Sequence, residues 1–199
     1  MDDAWAPLRV ERAAEVFDGA PFRRWICGGR ALELHLGRSW RDHHDDIDVG
    51  ILRQDAPALF AWLAGWELAM ASSGQLLPWG GRPLVAEHAE NNVWGRRAGA
   101  GAWEIDVLAN AGDATEWRSR RDERIRRPWD EAVLHTADGL PYLAPELQLL
   151  FKSRDRRPKD DLDAEHVVPG LDAERRAALA ELLPPDHPWQ QVLLLAASG

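Results

Sequence analysis

Apolar positions along this chain change period several times, and each change predicts an element. From Leu8 to Phe17 they fall at Val10, Ala13, Ala14 and Phe17, the spacing of an amphipathic helix, which Asp18-Gly19-Ala20-Pro21 stops. Trp25-Ile26-Cys27 is a short apolar run ending on Gly28-Gly29, and Ala31 to Leu36 resumes a helical pattern that ends at Gly37. The glycine pair therefore sits between a strand and a helix. After a polar loop from Arg38 to Asp45, residues Asp46 to Leu52 alternate as a strand, with Ile47, Val49 and Ile51 inward and Asp46 and Asp48 on the opposite face. Ala56 to Ala64 reads as a helix ended by Gly65. Trp66 to Ala71 and Asn92 to Arg97 are weaker strand patterns with a Gly/Pro-rich, hairpin-like region from Leu77 to Pro83 between them. Trp103 to Leu108 alternates again, placing Glu104, Asp106 and Leu108 on one face and Trp103, Ile105 and Val107 on the other.

From Thr115 to Arg127 the chain is strongly charged, and a solvated stretch is the expectation; Ala132 to Tyr142 predicts two short strands about a turn at Asp138-Gly139. Beyond Pro145 the pattern becomes helical: Glu146 to Lys152, Pro158 to Val167, Asp172 to Leu183 and Pro188 to Ala197 each carry proline at or before the first turn, where it is tolerated. The expected fold class is α+β, a mixed β-sheet flanked by helices over residues 1–143 followed by a C-terminal helical bundle over residues 144–199. No internal repeat or low-complexity linker separates the two parts.

Composition narrows the partners. With 199 residues and 45% apolar side chains the chain can fill a core. Its apolar runs fall well short of the roughly 20 residues that cross a bilayer, and the start Met1-Asp2-Asp3 is unlike a secretion signal, so a cytoplasmic protein without membrane contact is expected. A single cysteine, Cys27, rules out an intramolecular disulfide and a multi-cysteine zinc site. The formal charge of −9 disfavours a nucleic-acid backbone as partner and suits a cationic small molecule. Eleven tryptophans are many for this length; core packing and hydrophobic lids account for most, with stacking on a cofactor as the alternative.

Carboxylates two apart on a strand point the same way about 7 Å apart at Cα, so their heads can close on small hard cations and repel without them. Asp46 and Asp48 have this spacing, and Asp106 brings a third carboxylate if its strand pairs with theirs. Such a set suits Mg²⁺, and a two-metal site of this kind serves phosphoryl chemistry. Gly28 and Gly29, opening a helix, let backbone N–H groups approach a phosphate where the helix dipole favours negative charge. Each feature alone is common. Their order, strand, Gly-Gly, helix, Asp-x-Asp strand and isolated Asp strand, is what carries weight.

Ile26-Cys27-Gly28-Gly29, then Asp46-Ile47-Asp48, then Glu104-Ile105-Asp106 resembles the signature of the nucleotidyltransferase superfamily that includes DNA polymerase β. The run from Gly28 through Leu36-Gly37-Arg38 to His44-Asp45-Asp46-Ile47-Asp48, with Tyr142-Leu143-Ala144-Pro145-Glu146, Phe151-Lys152 and Pro158-Lys159-Asp160, is similar to the aminoglycoside 2''-adenylyltransferase and lincosamide nucleotidyltransferase group, over most of the chain. The resemblance implies an enzyme that moves a nucleoside monophosphate, AMP from ATP, to a hydroxyl of a small acceptor. In it Asp46 and Asp48 bind Mg²⁺, Asp106 completes the site and acts as base, Gly28 and Gly29 hold the triphosphate, and Lys152 lies near the phosphates. Arg30, where a bulky apolar residue is expected, and His43 depart from the pattern.

Other residues carry competing readings. His43-His44-Asp45-Asp46 has donors for zinc or iron, but the preferred reading sets His44 beside the carboxylates, touching phosphate or a carboxylate, with its pKa raised by the surrounding negative charge. The arginines from Arg118 to Arg127 fit a solvated face paired with Asp122 and Glu123, or a contact to RNA or a triphosphate. Lys159 can reach a phosphate, while the acids after it favour a helix N-terminus without any function. Cys27 reads as a small buried hydrophobe. The alternative function is a toxin-like nucleotidyltransferase modifying tRNA or a protein; a non-catalytic nucleotide-binding module leaves the three carboxylates unexplained.

Overall fold

The computed structural model describes residues 4–72, 75–84 and 92–197. The acidic start Met1-Asp2-Asp3 lies outside the described residues. In chain order the elements are α1 (Val10–Val16), β1 (Arg24–Ile26), α2 (Gly28–Leu36), β2 (Asp48–Leu52), α3 (Ala56–Trp62), β3 (Trp66–Ser72), β4 (Gln75–Pro78), β5 (Asn92–Arg97), β6 (Ile105–Gly112), β7 (Glu116–Arg118), β8 (Arg126–Pro128), α4 (Trp129–Ala132), β9 (Val133–His135) and β10 (Pro141–Leu143). Four helices follow: α5 (Pro145–Ser153), α6 (Pro158–Val167), α7 (Ala173–Leu182) and α8 (Trp189–Ala197). Among the described residues, no helix is long and apolar enough to cross a membrane.

The sheet is mixed and runs β4-β3-β5-β6-β2-β1-β10-β9. Strands β2 and β6 at its centre are parallel, as are β1 and β10, and the other pairs along this path are antiparallel. The inward residues expected from alternation are inward: Ile47, Val49 and Ile51 of the β2 segment pack with Val93, Ile105 and Val107, beneath Ala13, Phe17 and Leu59 from α1 and α3. A second apolar cluster joins Leu32 of α2 to Leu149, Val167, Leu179, Trp189 and Leu193, so the C-terminal helices pack on the helix that follows the glycine pair. Because α2 supplies Ala31 to one cluster and Leu32 to the other, it fixes the helices against the sheet and defines the seam between them.

Helix ends follow from sequence. Gly37 takes the left-handed conformation at φ +62° that closes α2. Proline occupies the first turn of α3, α5 and α6, and the Asp172 side chain accepts from the Arg175 N–H at 2.8 Å to cap α7. The charged stretch after Thr115 departs from expectation: it pairs as β7 and β8, because Trp117 buries completely against β6 and carries its neighbours into the sheet. Most of the tryptophans behave as core. Trp25, Trp79, Trp103, Trp117 and Trp189 are buried, and Trp5, Trp94 and Trp103 stack edge to face.

Candidate active site

The register of β2 against β6 brings Asp48 directly opposite Asp106. Both line a cleft of about 430 Å³ at the seam between sheet and helices, together with Asp46 and Gly28. Its opposite wall carries more bases than acids: Arg120 and Arg121 from the β7–β8 loop, Lys152 from α5, and Arg154 and Arg157 from the α5–α6 turn, against Asp155 and Asp160. The lining includes Phe151 but no tryptophan, which leaves the cofactor-stacking reading of those residues without a place here.

The two facing carboxylates are electrostatically strained. Burial, and then the charge of Asp46, raises the Asp48 pKa to about 7 against the pull of Lys152 and Arg120. Burial, followed by the charges of Asp48 and Asp46, pushes Asp106 well above the usual carboxylate range. Asp106 Oδ2 accepts a hydrogen bond from the Asn92 amide at 3.0 Å, while its buried Oδ1 has no partner among the described residues. Arg120 Nη1 donates to Asn92 Oδ1 at 2.6 Å.

The expected closure of three carboxylates into one ligand set is not what the side chains show. Among the described residues no three His, Cys, Asp or Glu side chains stand close enough to hold a metal ion. Burial, and then the charge of the neighbouring aspartates, raises both pKa values, so bringing the ionised carboxylates closer costs free energy. The donors nevertheless fit a hard divalent cation: all are carboxylate oxygens, and one buried oxygen lacks any partner.

Gly28 sits at φ +68°, and a Cβ there would stand 2.0 Å from Asp48 Oδ2, so only glycine lets the turn and the carboxylate share this space. Its N–H, one of the groups expected to meet phosphate, donates to Gln148 Oε1 at 2.8 Å and ties α2 to α5. A Cβ on Gly29 would instead meet the His44 ring at 2.9 Å and Arg41.

His44 and Lys159 are not among the cleft lining. His44 lies with Nε2 3.0 Å from Glu33 Oε2, and its pKa is lowered, the reverse of the expected rise, because burial dominates and Arg30 and Arg41 reinforce it against Glu33. Lys159 Nζ pairs with Asp45 Oδ2 at 2.9 Å near the surface. Lys152 does reach the cleft, held between Asp160 Oδ1 at 3.2 Å and Asp163 Oδ2 at 2.9 Å. Cys27 is buried, and burial with the nearby Asp48 charge raises its thiol pKa, as fits an inert packing residue.

The arginine run divides. Arg118 pairs with Asp113 and Glu116, and Arg124 with Asp122, in keeping with a solvated face, whereas Arg120 and Arg121 enter the cleft. The sequence offered Arg120 and Arg121 only as members of the whole run, with a triphosphate contact as the less favoured reading, and it missed Asn92 as a site residue. Only Trp117, an apolar residue three and four positions before these arginines in the middle of a charged run, signalled that the stretch turns inward.

No family model and no curated protein sequence matches the chain. Solved structures do share its fold. The antibiotic-resistance factor ANT(2'')-Ia, determined in solution, superposes with a TM-score of 0.55 at 15% identity, over 85% of this chain and 86% of that one. The lincosamide antibiotic adenylyltransferase LnuA, solved with lincomycin bound, gives 0.53 at 15% identity over 79% of this chain and 95% of that one. The resemblance drawn from the glycine pair and the aspartates thus extends to the fold.

Proposed function

We propose that the chain is a Mg²⁺-dependent nucleotidyltransferase that moves AMP from ATP to a hydroxyl of a small, cationic acceptor of the aminoglycoside or lincosamide type. The observation that carries this reading is the in-register pair Asp48 and Asp106, the first half-buried and the second buried, with pKa values raised by burial and then by neighbouring acids, facing a mostly basic wall in one cleft. The arrangement separates two tasks, with acids gathering where a cation and a hydroxyl belong and bases where a triphosphate belongs. The shared fold with two antibiotic-modifying proteins supports the choice of acceptor class. Residues 1–143 would form the catalytic part and 144–199 the helical part that completes the cleft.

In this reading Asp46, Asp48 and Asp106 would hold Mg²⁺, which would neutralise charge on the phosphates. Arg121 and Lys152 orient the triphosphate, with Gly29 and the start of α2 offering backbone donors beside it. Asp106 takes the proton of the acceptor hydroxyl as its oxygen attacks the α-phosphorus in line, and pyrophosphate leaves along the basic side of the cleft. His44 and Lys159 would serve as outer residues: His44 by bracing Glu33 behind the glycine pair, Lys159 by moving from Asp45 to a phosphate.

The test incubates the protein with each labelled NTP and Mg²⁺ against aminoglycosides, lincosamides and bulk tRNA, following label and pyrophosphate. Transfer from ATP to an antibiotic is expected. Labelling of tRNA alone, sensitive to salt, would replace this reading with the toxin-like one.

A further inference from the structure

Asp106 is held on one side only. Asn92 donates to its Oδ2, and its buried Oδ1 has no partner among the described residues. Asn92 is itself held, by Arg120. A guanidinium only donates and an ionised carboxylate only accepts, so an amide between them has a single satisfied orientation, carbonyl toward Arg120 and NH₂ toward Asp106. Strand register supports the contact: Asn92 pairs across β5 and β6 with Leu108, two residues from Asp106 on the same face, which makes Asn92 and Asp106 diagonal neighbours. Arg120 is steadied in turn. Its guanidinium lies 6.0 Å from the Phe151 ring centroid, and the adjacent Arg121 donates to the Phe151 carbonyl at 2.7 Å, tying the β7–β8 loop to the end of α5.

We propose that Asn92, oriented by Arg120, is a positioning residue that fixes the Asp106 carboxylate through Oδ2 and so leaves Oδ1 free for the cation and the acceptor hydroxyl. The inference rests on the transferase reading above. A direct Arg120–Asp106 pair would engage both carboxylate oxygens; an interposed amide passes on the orientation while leaving one oxygen free. The chain Arg120–Asn92–Asp106 also makes the geometry at the acceptor side depend on the loop that forms part of the phosphate side.

The experiment compares wild type, Asn92→Leu, Arg120→Met and the double variant by pyrophosphate release with ATP, Mg²⁺ and an acceptor that wild type turns over, alongside crystal structures of wild type and Asn92→Leu. Asn92→Leu should lower kcat about 10- to 100-fold with KM for ATP within about twofold. Arg120→Met should lose less, and the double variant should fall no further than Asn92→Leu, because both act through one carboxylate. In crystals of Asn92→Leu the Asp106 side chain should leave its wild-type rotamer. Unchanged kcat in Asn92→Leu overturns the proposal, as does an Arg120→Met loss that adds in full or appears as a raised KM for ATP. Should Asn92→Leu fail to fold, Asn92→Ala removes the same donor with less volume. If wild type modifies no acceptor, the transferase reading has failed, and an Asp106 carboxylate unmoved in the variant would separately sink this one.

Discussion

Two groups of aspartates lie near the cleft, and they differ in what surrounds them. Asp160 and Asp163 on α6 are fully buried and saturated: Lys152 bridges both, Arg157 adds to Asp160 at 2.9 Å, and Asp163 also accepts from Trp40 Nε1 and Arg41 Nε, each at 3.1 Å. Burial alone would raise the Asp160 pKa, yet the bonds from Arg157 and the charge of Lys152 hold it at about 2. Asp48 and Asp106 on the sheet are displaced in the opposite direction, each raised by burial and then by other acids. The same residue type thus marks structure where cations complete it and a ligand site where they do not. Lys152 pairs with the helix group and lines the same cleft as the sheet group.

The comparison breaks most visibly at Asp48. Asp48→Asn should remove several kcal/mol of transition-state stabilisation, a loss of about 10³-fold or more in transfer, while the fold survives. It should also stabilise the metal-free protein. The folded pKa of Asp48 lies at about 7 against an ordinary 3.8, so the folded state holds more protons between those values and its stability falls as pH rises through that window. Thermal denaturation of wild type without metal should therefore shift downward from pH 5 to pH 8, by about 2–4 °C for each kcal/mol lost. The shift should shrink in Asp48→Asn and be reversed in wild type by added Mg²⁺. A wild-type melting curve indifferent to Mg²⁺ at pH 8 would deny that the strained acids await a cation.

The converse holds on α6. Asp163→Ala leaves Lys152 and Arg41 buried with less compensation and should destabilise the fold by about 3–5 kcal/mol, measured by urea unfolding. The pH sign is also reversed: the depressed Asp160 pKa contributes stability present above 3.8 and lost as pH falls toward about 2. A loss below about 1 kcal/mol would mean that the cations find other partners and the contrast between the two groups is shallow.

Local pattern made much of this legible. Alternation placed Ile47, Val49 and Ile51 inward, and the proline positions located α5 and α6. Which strands become neighbours is a long-range property, so the pairing of Asp48 with Asp106 could only be conditional from sequence. His44 went wrong because counting nearby acids overlooked burial and the two arginines beside it. Arg120 could not be told from its neighbours in a charged run whose path depends on where Trp117 buries, and Asn92, a polar residue at the start of a weak strand, gave no local signal at all. The saturated and unsaturated aspartates are likewise indistinguishable by composition, since the difference lies in partners brought together by the fold.

Gly28→Ala tests how closely the strained acids are fitted. The left-handed backbone alone costs about 1–2 kcal/mol with a Cβ, and the new carbon would force Asp48 aside, a displacement on the order of 1 Å that should lower kcat about 10²-fold. Substitution at Gly19, which also has positive φ but meets nothing within 4 Å, should show the backbone cost without the catalytic one.

The smallest effect on stability is expected at Lys159. Its pair with Asp45 joins side chains that are 38% and 64% exposed, so Lys159→Ala should change stability by less than about 1 kcal/mol, and the small change should vanish in high salt. Activity is the sharper measurement, because Lys159 belongs to neither group of aspartates in this structure. A rise in KM for ATP with stability unchanged would show the lysine leaving Asp45 for a phosphate when nucleotide binds, making it a mobile counterpart to the committed Lys152. An unchanged KM would confine phosphate binding to the cations that already line the cleft.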